Sequence, residues 1–467
     1  MSRAAAIARA ERYFDAGKFL EDLARRVAFK TESQVAASLP NLGAYLEREI
    51  KPAFERMGYQ VRIVPNPVAN AGPFLIATRI EDPRLPTVLG YGHADVIRGL
   101  EPQWRSGLDP WTLKVEGQRW YGRGTADNKA QHLINMLALE QVIAERGGKL
   151  GFNSKFLIET GEEVGSPGLR QICEQEKAAL SADLLIGSDG PRLTPARPTI
   201  YMGTRGAMNF DLIVDLREGG HHSGNWGGLL ANPGVILANA IASIIDEKGR
   251  VKARDILPRA IPNSVRAALA DCEIEAGDDG PEINAWWGEP GLTPAEKCYA
   301  WNTFEVLAFR TGNPENPVNA IPPKAVAACQ IRYTVDVHPK TFIPALRMHL
   351  DAHGFRNVQV EPWDKGFFAA TRLDPDHPCA RWAAASLERT TGRKPAMLPN
   401  LGGSLPNDCF TDTLGLPTIW VPHSYAGCSQ HAPNEHVLAP LLREGFQIMT
   451  GLYWDMGEAP PLERRSA

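Results

Sequence analysis

"KFLIETGEEVGSPG", residues 155–168, joins the end of an apolar run to a glycine-bounded loop carrying two adjacent carboxylates. Lys155 to Ile158 reads as the end of a buried strand, and Glu162 and Glu163 follow within a few residues. On a surface loop such a pair is ordinarily just solvated. At a strand terminus in an α/β protein, where ligand crevices form, the like charges repel at a cost unless something positive lies between or beside them. This stretch alone leaves both readings open, and its neighbours decide.

Similar apolar runs occur at Phe74 to Ala77, Val88 to Tyr91 and Leu184 to Ile186. Leu42, Leu46, Ile50 and Phe54 recur at helical spacing before Gly58, and a second helix is predicted from about Lys129 to Arg146, stopped by Gly147-Gly148. Strands alternating with helices predict an α/β fold, a largely parallel sheet with helices on both faces. Ligands in such sheets bind beyond the carboxyl ends of the strands. There the Val88 strand runs into His93-Ala94-Asp95, the Lys155 strand into Glu162-Glu163, and the Leu184 strand into Ser188-Asp189.

After "TIYMGTRGAMNF" the pattern changes. Phe210, Leu212, Val214 and Leu216 alternate with mostly polar residues, as does a stretch from about Ala325 to Val335, and helical periods appear near Val235 to Ile245 and Phe342 to Leu350. This predicts an inserted α+β domain, residues 205–363, between two parts of a main domain, 1–204 and 364–467. The acidic, Gly/Pro-rich stretch from Asp271 to Glu296 reads as an elaborated loop within the insert. "TIWVP" is a further buried strand of the main domain.

At 467 residues the chain exceeds what one core supports. A balance of 50 basic against 54 acidic residues leaves −4, no electrostatic footprint for nucleic acid or an anionic membrane. No apolar run approaches the ~20 residues of a membrane span. The N-terminal "MSRAAAIARAERYFDAG" lacks an apolar signal region and reads as an amphipathic helix. Seven scattered cysteines without CxxC spacing predict reduced thiols, a cytoplasmic setting and no cysteine-zinc site.

Taken singly, the polar residues at the strand ends are ambiguous. His93-Ala94-Asp95 has the spacing of a ligating histidine with an acidic partner, or of a structural pair. Asp127, in "YGRGTADNKA", is a helix N-cap or a ligand. His431, in "CSQHAPNEH", is a polar loop residue or a ligand. Together they make a histidine and carboxylate set suited to two divalent metals sharing a bridging carboxylate. One of the paired glutamates can then bind metal while the other polarises a water.

"GHADV", "GRGTADNKA", "ETGEEVGSPGL", "IGSDG", "HHSGNWGG", "NAIPPKA", "LGGSLP" and "HAPNE", in this order, resemble the dinuclear zinc exopeptidase and deacylase family of aminoacylase, carboxypeptidase G, acetylornithine deacetylase and carnosine dipeptidase. The resemblance runs from about Leu42 to Met449 and is closest to the carnosine-dipeptidase branch. It implies that His93 and Asp189 hold one zinc, Glu163 and His431 the other, and Asp127 bridges them, with manganese or cobalt as alternative metals. Glu162 would be the general base and Asp95 the partner of His93. The insert would be a lid and dimerisation domain, whose His222 reaches the other subunit's site in a homodimer and polarises the scissile carbonyl. Asn319 and Arg332 would contact substrate, and the Gly402-Gly403-Ser404 turn would receive its carboxylate.

The activity so implied is cleavage of a peptide bond in a small peptide, with N-acyl-amino-acid hydrolysis as the alternative. Two departures bear on the choice. Dipeptidases of this branch tend to have Arg-Glu before the Gly-Gly-Ser turn, the acidic residue helping to hold the substrate's amino terminus; this chain has Asn400-Leu401. Asn128 also replaces the more usual second aspartate after the bridging ligand. A catalytically silent scaffold would be expected to have lost the base or a ligand. "GYGHAD" begins like a dinucleotide fingerprint, but Asp95 at the third glycine would set a carboxylate against a pyrophosphate.

Overall fold

The computed structural model describes residues 1–274, 282–364 and 366–462. Residues 275–281 of the predicted acidic loop lie outside the described residues. Eight strands form one sheet in the order Gln60–Val64, Phe74–Arg79, Asn153–Glu159, Thr87–His93, Leu184–Gly187, Thr418–Trp420, Thr199–Tyr201 and Ala396–Leu398. Asn153–Glu159 and Leu184–Gly187 both run parallel to Thr87–His93, and Thr418–Trp420 runs parallel to Leu184–Gly187. Four neighbouring strands therefore end on one side.

Every residue of Thr87–His93 and Asn153–Glu159 is buried, so both faces of the sheet are covered. The period of two sorts their side chains. Val88, Phe156 and Ile158 face the helices Lys129–Glu145 and Ala439–Glu458, while Leu89, Tyr91 and Leu157 face the helix Leu169–Gln175. Gly92 lets the helix Lys129–Glu145 approach: a Cβ there would lie 2.5 Å from His132 Cβ. That approach sets Asp127, just before the helix, beside the strand ends.

Two expectations change in detail. Phe74–Arg79 is antiparallel to both its neighbours; toward Gln60–Val64 the connection 65–73 is shorter than the dozen or so residues a parallel crossover needs. The early helix is Leu39–Tyr45 and Lys51–Arg56 separated by a wider π-type turn, Leu46–Ile50. Pro52 has no N–H for the carbonyl of Arg48, and the turn widens there. Leu42, Leu46, Ile50 and Phe54 are nevertheless all buried.

Between Thr199–Tyr201 and Ala396–Leu398 the chain builds a separate antiparallel sheet, ordered Thr303–Thr311, Lys324–Tyr333, Gly206–Asp215 and Gln359–Pro362. Phe210, Leu212, Val214, Ala327, Cys329 and Ile331 bury one face of it with residues of the helices Pro233–Ile244 and Phe342–Ala352. The edge strand Thr303–Thr311 was not foreshadowed by any alternation; its Val306, Leu307 and Phe309 are exposed. Where the chain passes between the sheets, Gly203–Thr204 pairs with Thr371–Arg372, and buried Asn400 donates to the carbonyls of Thr204 at 3.1 Å and Thr371 at 2.7 Å. Among the described residues no helix is long and apolar enough to cross a membrane.

Candidate metal centre

The parallel strand ends deliver the polar residues to one place. His93 is the last residue of its strand, a short 3-10 turn Glu162–Val164 follows Asn153–Glu159, and Asp189 follows Leu184–Gly187. Asp127 stands between two imidazoles: its Oδ1 is 2.8 Å from His93 Nε2 and its Oδ2 is 3.1 Å from His431 Nε2. Asp189 Oδ2 lies 3.5 Å from His93 Nε2, and Glu163 Oε2 lies 2.9 Å from His431 Nε2. Two triads result, His93–Asp127–Asp189 and Asp127–Glu163–His431, each with one donor atom per residue within 4.8 Å of the others. Asp127 is common to both.

His431 is held at φ +59°, a left-handed conformation uncommon for a residue with a Cβ and typical of over-determined functional loops. Asn128, beside the shared aspartate, is buried and donates to the Ser188 carbonyl at 2.8 Å, so it ties the Asp127 loop to the Asp189 loop.

Electrostatics make this cluster costly by itself. Burial raises the carboxyls of Asp189 and Glu162, and with the charge of Asp127 it pushes Glu163 up to about 7. Burial would raise Asp127 too, but hydrogen bonds from His431 and His93 hold it well below the usual range. The Asp127 and Glu163 carboxylates push His431 up to about 11. Asp189 Oδ2 is buried with no hydrogen-bond partner. Four carboxylates, Asp127, Glu162, Glu163 and Asp189, carry the charge that two divalent cations would neutralise with the histidines neutral. The donors are nitrogen and oxygen only, as a hard or borderline divalent ion prefers. The residues fit such a pair.

Asp95 does more than adjoin a histidine. Its carboxylate accepts the backbone N–H of Glu162 at 3.2 Å and of Glu163 at 3.1 Å, fixing the start of the loop that carries both. His93 Nδ1 meets the backbone carbonyl of Asp95 at 3.1 Å and its carboxylate only at 3.5 Å.

Glu435 escaped the sequence reading. It is buried, accepts N–H bonds from Gly124, Ala126 and Asp127 at 2.9–3.1 Å, and pairs with buried Arg123 at 2.8 Å. It thereby ties the loop bearing His431 to the loop bearing Asp127. A carboxylate four residues after a candidate ligand in a polar loop was the available signal. Gln430 also donates to Asp127 Oδ2.

Two cavities open on the centre. One, of about 850 Å³, lies on the Glu163 side; the other, of about 460 Å³, is bounded by Asp127, Asp189 and the 401–405 segment. Glu162, His431 and Ser404 line both. Arg332 donates to Ser404 Oγ at 2.9 Å, and with Gly403 they make a cationic pole in the smaller cavity. His222 and Asn319 are not brought there. Both are exposed on the inserted unit, where the short strand His221–His222 pairs with Ala320–Ile321 and Asn319 accepts from Ser223 N–H at 2.9 Å.

Residues 89–455 match peptidase family M20/M25/M40. The chain is 31% identical to the Beta-Ala-His dipeptidase of Rattus norvegicus, over 93% of this chain and 88% of that one. It is 30% identical to the Cys-Gly metallodipeptidase dug1 of Schizosaccharomyces pombe, over 91% and 90%. Among solved structures, human carnosine dipeptidase 1 shares the fold with a TM-score of 0.79 at 21% identity, covering 97% of this chain and 99% of that one.

Proposed function

The chain belongs to peptidase family M20/M25/M40, and we propose that it is a dinuclear zinc dipeptidase that cleaves the amide bond of small substrates ending in a carboxylate. The observation that carries this reading is Asp127, one oxygen toward each of two histidines whose remaining neighbours are carboxylates. Dipeptides are the substrate class in the names of the rat and fission-yeast relatives.

His93, Asp127 and Asp189 would hold one ion, and Asp127, Glu163 and His431 the other. Such ions supply Lewis acidity, making a water more acidic and the scissile carbonyl more electrophilic. Glu162, which opens on both cavities, accepts the proton of the attacking water and delivers it to the leaving nitrogen as the C–N bond breaks. Arg332, Ser404 and the backbone of Gly403 orient the substrate's carboxylate, using charge-assisted hydrogen bonds.

His222 and Asn319 serve the site of a second copy in a homodimer formed through the inserted unit. The support is their exposure away from their own centre, together with exposed apolar residues on that unit: Leu229, Val235, Leu307, Phe309 and Val318. The seven free cysteines suit a reducing, cytoplasmic setting.

Hydrolysis of a panel of dipeptides by native, chelator-stripped and metal-restored protein tests the reading. Turnover should vanish on stripping and return with zinc. Turnover that survives verified metal removal contradicts it.

A further inference from the structure

We propose that Arg205 is a positioning residue of the cationic pole: it grips the Gly402-Gly403-Ser404 turn and sets behind it a second, unpaired charge that selects a substrate ending in a carboxylate; the inference rests on the hydrolase reading above. Arg205 stands where the chain enters the insert, between the short strand Gly203–Thr204 and the strand Gly206–Asp215. Its N–H donates to the Leu401 carbonyl at 3.0 Å, its Nε donates to the Gly402 carbonyl at 3.0 Å, and its own carbonyl accepts from Ser404 Oγ at 2.7 Å. Ser404 Oγ in turn accepts from Arg332 at 2.9 Å. Arg332 lines the smaller cavity with the turn, and Arg205 holds that turn from outside the lining.

The charge of Arg205 is the exception among buried arginines. Among the described residues the others each meet a carboxylate: Arg26 with Glu49 at 3.6 Å, Arg123 with Glu435 at 2.8 Å and Arg192 with Glu444 at 2.5 Å. The Arg205 guanidinium meets only the carbonyls of Gly402 and, at 3.5 Å, of Trp301. Burial lowers it from its ordinary value, and Glu305 acts on it only from beyond ion-pair distance. Burial raises the neighbouring Cys298 thiol and Tyr299 hydroxyl, so neither supplies a negative charge at neutral pH. A guanidinium cannot escape by losing its proton.

Arg332 shares the deficit. It donates to Gln330 Oε1 at 2.8 Å and to Ser404, with no carboxylate partner among the described residues, and burial followed by the charge of Arg205 lowers it. Two like charges at one turn, both withdrawn from water, are costly until an anion arrives. The anion that the site is built to receive is the substrate's terminal carboxylate. Its binding gains the attraction of both arginines, and a neutral amide in its place gains neither.

The test compares leucyl-glycine with leucyl-glycinamide, which differ by the carboxylate alone. With metal-loaded wild type, kcat/KM should favour the acid by about tenfold or more, chiefly through KM. Arg205→Gln keeps a donor for the Gly402 carbonyl without the charge, and should cut that acid-to-amide ratio at least about fivefold. Arg205→Lys, which keeps the charge, should restore most of it. A bracing role alone would lower both substrates together and leave the ratio unchanged in both variants, which overturns the proposal. Wild type that takes the amide as readily as the acid overturns it too, and so does an Arg205→Gln chain that fails to fold, since the charge would then serve the fold itself. Calorimetric binding to metal-loaded Glu162→Gln, with and without Arg205→Gln, repeats the comparison without turnover. If wild type hydrolyses neither peptide while the acid still binds in preference and through Arg205, the hydrolase reading fails and the pole stands. Binding of neither, or of both alike, overturns the proposal.

Discussion

The carboxylate of Glu435 accepts the backbone N–H of Asp127 at 3.1 Å, so the residue common to both candidate metal triads is positioned by a buried charge on the loop that carries His431. Glu435→Gln would leave Arg123 buried without its counter-charge and weaken the bonds to the 124–127 backbone. Removing one partner of a buried pair costs about 3–5 kcal/mol. Denaturant unfolding should show a loss of that order, and the variant should retain less metal after dialysis. Wild-type midpoint and metal content would deny Glu435 this role.

The two adjacent glutamates should separate cleanly. Glu162→Gln should keep both metals and lose most turnover, since an amide cannot accept the proton. Glu163→Gln should lose metal from the His431 triad directly. Elemental analysis beside kcat distinguishes them, and equal metal loss in both variants would show the assignment to be wrong.

The active site should be completed across a dimer. Homodimers of Glu162→Gln and of His222→Ala should each be nearly inactive. Refolded together, half the dimers are mixed and each holds one intact site, so roughly a quarter of wild-type activity should return. No return, with mixed dimers verified by mass, would place His222 in its own chain's chemistry.

Gly92→Ala tests how the site is held by the fold. A Cβ 2.5 Å from His132 Cβ must push the helix Lys129–Glu145 off the strand that ends in His93. Overpacking of this kind costs about 1–3 kcal/mol. Because the displaced helix follows Asp127, metal affinity should fall together with the melting temperature; a variant as stable as wild type would contradict the packing argument.

Much of this was legible in the chain because the polar residues His93, Glu162, Glu163 and Asp189 each come shortly after a short, mainly apolar run, and parallel strands bring such ends together. Thr303–Thr311 was not legible. Its Val306, Leu307 and Phe309 are exposed and only Phe304 is buried, so no period of two is left to read. Glu435 acts through backbone N–H groups some 310 positions away, a pairing that side-chain chemistry in a sequence does not announce. The site's cationic pole is likewise tertiary, since Arg332 comes from a strand of the antiparallel sheet and Ser404 from the loop after Ala396–Leu398.

Metal stoichiometry tests the central claim most directly. Protein dialysed against metal-free buffer and analysed for bound elements should hold close to two divalent ions per chain, and Asp127→Asn should reduce both, because Asp127 belongs to both triads. A folded wild-type protein that binds one ion or none after incubation with excess zinc, or an Asp127→Asn variant that keeps two, would contradict the shared-carboxylate centre.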